Sequence, residues 1–161
     1  MIICGTGHRP NKLGGYSDPI FDALVRLCSY YLTTTTEKPT LVISGMAQGF
    51  DQALAQACLD CGYPYDAYVP HEGQESIWRD PRAKDKYYKL LNSAREVKLI
   101  VPGPFAAWKM MKRNEAMVNA SDTVLALWDG TGGGTGNCVS YARRMNKNII
   151  HLWDRWQKGE F

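Results

Sequence analysis

Long apolar runs are missing from this 161-residue chain, and with them the stretch of about 20 apolar residues that a membrane-spanning helix needs. The amino-terminal segment Met1-Ile2-Ile3-Cys4-Gly5 has no basic region and only a brief apolar one before the first glycine, so no secretory leader is expected. Cysteine is sparse and unpatterned. The five residues Cys4, Cys28, Cys58, Cys61 and Cys138 are odd in number and set in apolar stretches, which suits reduced, packed thiols better than a disulfide framework. Cys58 and Cys61 have the C-x-x-C spacing, but they fall at the end of a helical pattern with no second pair or nearby histidine, so no metal is expected. Charge of one sign is scarce as well. The 19 basic residues are nearly balanced by 16 acidic ones, and the densest basic cluster, Arg79, Arg82, Lys84 and Lys86, is interrupted by Asp80 and Asp85. A nucleic-acid partner is therefore not expected. Disorder is excluded by a hydrophobic content of 45% with little net charge. What remains is one cytoplasmic globular domain, with no membrane association and no cofactor required by its composition.

Short apolar runs are present: Ile2–Cys4, Leu41–Ile43, Ala67–Val69, Leu99–Val101, Thr123–Trp128 and Ile149–Trp153. Between them lie segments with helical spacing, including Ile20 to Tyr31, Ala53 to Cys58, Tyr87 to Ala94, Trp108 to Asn119 and Val139 to Met145. Thr33 to Thr36 reads as a helix end leading into a turn at Lys38-Pro39. Strands of continuous apolar character, each followed by an amphipathic helix, predict an α/β fold. The expected architecture is a single-domain, Rossmann-like three-layer fold with a mostly parallel sheet.

Against that pattern the 15 glycines gain a place. Reading just past each run gives Gly5-Thr6-Gly7-His8-Arg9, then Ser44-Gly45-Met46-Ala47-Gln48-Gly49, then His71-Glu72-Gly73, then Pro102-Gly103-Pro104, then Asp129-Gly130-Thr131-Gly132-Gly133-Gly134-Thr135-Gly136. All of them fall at the carboxyl edge of the expected sheet, where open α/β folds bind ligands and where helix amino termini favour anions. Glycine lets backbone amides approach a phosphate without a Cβ in the way. The Asp129–Gly136 segment is the densest and reads as a phosphate-cradling turn or, more plainly, as a flexible surface turn. No Lys-Ser or Lys-Thr follows it, which excludes a P-loop, and Gly5 and Gly7 lack the third glycine of a dinucleotide fingerprint. Asp51 is either a first-turn acid favoured by the helix dipole or an acceptor for a ribose hydroxyl. His8 and Arg9 suit phosphate or base contacts. Arg113 and Asn114 reach the crevice if their helix points at it, and are otherwise solvated. Trp78, Tyr87 and Tyr88 either stack on a base or cover the sheet. The aromatic tail, Trp153 to Phe161, is expected to be exposed and to suit a contact within a homo-oligomer.

The ordered set Thr6-Gly7-His8-Arg9-Pro10, Ser44-Gly45-Met46-Ala47-Gln48-Gly49-Phe50-Asp51, Arg113-Asn114, Ser121-Asp122, Asp129-Gly130 and Gly133-Gly134-Thr135 resembles the YpsA-like branch of the SLOG superfamily. That superfamily also contains the DprA DNA-processing proteins and the LOG phosphoribohydrolases. The resemblance runs from Thr6 to about Lys147. It implies a Rossmann-like fold that binds a nucleotide or nucleotide-derived ligand, of ADP-ribose type, as a sensor or sequestering module. The ligand residues it implies are Gly5, Thr6, Gly7, His8, Arg9, Ser44, Gly45, Met46, Gln48, Gly49, Asp51, Arg113, Asn114, Asp129, Gly130, Gly132, Gly133, Gly134 and Thr135. LOG enzymes continue their glycine loop as G-T-x-x-E, the glutamate serving N-glycosidic hydrolysis. Here Gly134-Thr135 is followed by Gly136, Asn137 and Cys138. Hydrolysis of a nucleoside monophosphate, the enzyme alternative, then needs Asp51, Glu72 or Asp129 in that place. DprA-like single-stranded nucleic-acid binding is the second alternative.

Overall fold

The computed structural model describes residues 1–161. A six-stranded sheet runs in the order β4-β3-β2-β1-β5-β6, with all neighbouring strands parallel. The strands are β1 (Ile2–Gly7), β2 (Leu41–Ser44), β3 (Tyr65–Val69), β4 (Glu96–Leu99), β5 (Thr123–Leu127) and β6 (Asn148–His151). The helices are α1 (Asp18–Thr34), α2 (Phe50–Cys61), α3 (Pro81–Ser93), α4 (Ala107–Asn119), α5 (Gly134–Arg144) and the short α6 (Trp153–Lys158). A 3-10 turn at Pro10–Lys12 follows β1.

Strand periodicity sorts the core into two layers. Ile3, Val42, Ala67 and Leu125 pack with Leu24, Leu27, Phe50, Leu54, Tyr87 and Leu90 of α1, α2 and α3. Their strand neighbours Cys4, Ile43, Tyr68 and Val124 pack with Met117, Val118, Cys138 and Ala142 of α4 and α5. Successive side chains of a strand face opposite ways, so helices cover both faces of one sheet, as the alternating pattern predicts.

Helix ends follow local chemistry. α1 starts at Ser17-Asp18-Pro19 and stops in the threonine run, where the Thr34 hydroxyl donates to the Tyr30 carbonyl at 2.7 Å and Lys38 Nζ to the Thr33 carbonyl at 2.7 Å. α2 stops at Gly62 in the left-handed conformation.

The sequence reading errs at the sheet edges. β4 lies at Glu96–Leu99, not Leu99–Val101, and all its residues are exposed; an edge strand alternates polar and apolar residues instead of running apolar throughout. β6, the other edge, ends at His151, and Trp153 opens α6. The tail is also packed and not exposed: Trp153, Trp156 and Phe161 sit half-buried against the α1 side of the core, with Trp156 stacked on Phe161. No helix is long and apolar enough to cross a membrane.

Candidate functional site

Strand order reverses between β1 and β5. The chain leaves β1 toward α1 on one face and β5 toward α5 on the other, which opens a crevice between the two departing loops. Side chains tie the loops together across it. His8 Nε2 lies 2.8 Å from Asp129 Oδ1, and Lys12 Nζ donates to the Thr131 hydroxyl at 2.5 Å. Asp129 also accepts from the Thr131 amide at 3.0 Å and its hydroxyl at 2.5 Å; these bonds, with His8, hold its carboxyl well below the usual carboxylate range. Asp129 is therefore an ionised brace and a poor proton acceptor. The Trp128 indole donates to the Thr131 carbonyl at 2.7 Å, and Trp153 meets the His8 ring edge-on at 5.8 Å.

Behind this brace, α5 starts at Gly133-Gly134-Thr135 with no acidic residue in its first turn. Its first intrahelical bond runs from the Asn137 amide to Gly133, so the preceding amides have no acceptor within the helix. Side-chain space at Gly132, Gly133 and Gly134 is open, and Gly133 has a φ of +128° that other residues rarely adopt. These amides border a cleft of about 310 Å³ shared with Thr6, Gly7, His8, Arg9, Lys12, Asp51, Arg113, Asn114 and Thr135.

Asp51 and Arg113 form its buried floor, 5% and 4% exposed respectively. Arg113 donates to the Gly45 and Tyr68 carbonyls and, through Nε, to Asn114 at 3.0 Å. Asp51 Oδ2 accepts from the Ala47 amide at 3.4 Å, while Oδ1 is buried with no partner. Burial pushes Asp51 up to about 6 against the pull of Arg113, and burial also lowers Arg113. Arg113, which the sequence leaves between a crevice residue and a solvated one, is among the most enclosed groups of the crevice.

The remaining sequence-selected residues act on the cleft from behind. Gly5, Ser44, Gly45, Met46, Asp129 and Gly130 line neither this cleft nor the larger cavity beside it. Gly5 and Gly7 let α2 lie close on β1, since a Cβ at either position collides with Leu54 or Phe50. A Cβ on Gly45 would stand 2.6 Å from Arg113 and 2.9 Å from Asp51. Ser44 donates to the Asp51 carbonyl at 2.7 Å. Met46 is buried at a φ of +62°, held there by Gln52 on its carbonyl. Glu72 accepts from the Gly103 amide at 3.0 Å and also lines neither cavity.

Gln48 and Gly49 border a second, larger cavity of about 790 Å³ that adjoins the first through Arg9, Ala47 and Met110. Of its other walls, among them Tyr16, Phe21, His71, Ile77, Trp78 and Phe105, the sequence singled out only His71, within a strand-end cluster, and Trp78, as a residue that stacks on a base or covers the sheet. Tyr87 and Tyr88 do not line it: Tyr87 is buried with its hydroxyl on Gln74, and Tyr88 bonds Glu75. No spacing rule links these walls, because they come from three separate loops and from α1 and meet only in the fold.

Known proteins place the chain. The uncharacterized SPbeta prophage-derived protein YoqJ of Bacillus subtilis (strain 168) is 32% identical over 126 residues, which cover 68% of this chain and 73% of YoqJ. Among solved structures, DNA processing protein A (DprA) of Streptococcus pneumoniae superposes with a TM-score of 0.63 at 15% identity. The match covers 98% of this chain but 53% of DprA, about half its length. The molybdenum cofactor carrier protein of Chlamydomonas reinhardtii superposes with a TM-score of 0.57 at 13% identity, covering 93% of this chain and 74% of the carrier. These structures share the fold. The YspA SLOG family model matches residues 3–150, and the chain belongs to that family.

Proposed function

We propose that the chain binds a nucleotide-type ligand in the crevice between the β1 and β5 loops, with a phosphate on the bare amides of Gly133, Gly134 and Thr135. One observation carries the reading. A helix start with no acid in its first turn opens into the same cleft as a buried carboxylate with an unpartnered oxygen. The first supplies unpaired donors and a positive dipole end for an anion. The second lines the cleft floor as an acceptor for a sugar hydroxyl, and Arg9, free of side-chain bonds, and Lys12, bonded to Thr131, add positive charge at the rim. Binding is favoured over turnover because no acid follows Thr135 in the G-T-x-x-E position. The test is thermal: AMP should raise the unfolding temperature of the wild-type protein and leave that of a Gly134→Leu/Thr135→Leu double variant unmoved. Equal stabilisation of both removes the phosphate assignment.

Asp51 favours a second reading, N-glycosidic hydrolysis. A carboxyl raised to about 6 is poised to give a proton to a departing base near neutral pH. Incubation with nucleoside monophosphates followed by chromatography separates the two. Intact nucleotide supports a binding module, and free base that disappears in Asp51→Asn supports the hydrolase.

A further inference from the structure

The larger cavity has no role in the phosphate reading, yet at about 790 Å³ it is more than twice the volume of the phosphate cleft and adjoins it through Arg9, Ala47 and Met110. Its mouth is ringed by apolar side chains that a soluble surface ordinarily hides: Tyr16 is 67% exposed, Ile77 74% and Phe105 65%. Two of its walls are held in place. Trp78 meets buried Tyr87 edge-on at 5.2 Å, and Lys109 donates to the Pro102 and Pro104 carbonyls at 2.7 Å each, pinning the loop that carries Phe105.

Three polar wall residues are buried, Gln52, His71 and Gln74. The amide of Gln74 is bonded at both ends, to Gly45 and Tyr87, that of Gln52 holds the Met46 carbonyl, and His71 is 5% exposed. Its Nδ1 lies 2.8 Å from the Glu72 carbonyl. A carbonyl only accepts, so Nδ1 carries the proton, and in the neutral ring Nε2 is left as an acceptor. Nε2 has no protein partner, and it is not among the buried side-chain atoms lacking one, so it is reachable from the cavity that His71 lines. Arg9 stands at the junction of the two spaces and makes no side-chain bond of its own.

We propose that this cavity is the ring subsite of the same ligand: it takes a planar heteroaromatic base bearing an amino group, enclosed by Tyr16, Ile77, Trp78 and Phe105, with His71 Nε2 accepting from the amine. The proposal rests on the phosphate reading of the smaller cleft and adds what that reading leaves open, the class of base. Arg9 bridges the two halves, where it can reach a phosphate or lie against the base. The aromatic walls supply stacking area at a fixed geometry.

Titration calorimetry with AMP, inosine monophosphate and ribose 5-phosphate tests it. AMP should bind at least about tenfold more tightly than ribose 5-phosphate, which lacks the ring. It should also bind about tenfold or more better than inosine monophosphate, which offers His71 a carbonyl in place of an amine. Ile77→Asp changes an exposed position and spares the core; it should bring AMP down toward ribose 5-phosphate and leave the sugar phosphate's own affinity intact. His71→Asn keeps a donor for the Glu72 carbonyl and should erase the preference for AMP over inosine monophosphate. Equal binding of AMP and ribose 5-phosphate, or preferences that survive both variants, overturns the ring subsite and leaves the phosphate reading standing. Binding of none of the three overturns both.

Discussion

A Cβ built on Gly7 stands 2.5 Å from Phe50, and one built on Gly5 collides with Leu54, whereas one built on Gly132 or Gly134 meets nothing within 4 Å. The two glycine groups flank the same crevice, the first at the end of β1 and the second after β5. In the first, the missing side chain is filled by α2 and serves packing. In the second, the space is left open, and backbone donors are exposed instead. Identical composition thus has opposite physical causes, and only the neighbouring side chains tell them apart.

The largest expected effect separates these groups. Gly7→Ala should cost about 3 kcal/mol or unfold the chain, as overpacking against a buried aromatic does, whereas Gly132→Ala should stay within about 0.5 kcal/mol in urea unfolding. Comparable losses would erase the distinction. Next comes the floor the two groups share. The folded pKa of Asp51 is raised to about 6 from an ordinary 3.8, so the folded state holds its proton more tightly than the unfolded chain. The stabilisation is then complete below pH 4 and is lost as pH rises through 6, by about 2–3 kcal/mol. Urea unfolding from pH 4 to 8 should show wild type losing stability relative to Asp51→Asn; parallel profiles would mean Asp51 ionises normally. The smallest effect concerns the brace of the open group. His8→Ala should cost about 1 kcal/mol and speed amide exchange in Asp129–Gly133, while exchange in β2 stays as it was.

The sequence made the parallel sheet legible because its inner strands are covered on both faces and read as continuous apolar runs. The edge strands β4 and β6 broke that rule and were misplaced. The small cleft was legible because glycine and charge cluster within single loops, as at Gly132–Thr135. Arg113 was left between a crevice residue and a solvated one, because helical position alone cannot show that Gly45 leaves room for its guanidinium. The larger cavity escaped for a related reason: Tyr16, His71, Ile77 and Phe105 lie on loops far apart in sequence, and the glycine clusters at His71-Glu72-Gly73 and Pro102-Gly103-Pro104 place two of those loops at the sheet edge without showing that their apolar side chains meet.

The central claim, that the open glycines hold a phosphate, is tested most directly by 15N-resolved NMR of the backbone amides during an AMP titration. Saturable shifts largest at Gly133, Gly134, Thr135 and Gly136, and absent with adenosine at the same concentration, are the predicted result. Shifts of equal size with adenosine, or confined to residues outside this turn, would contradict it.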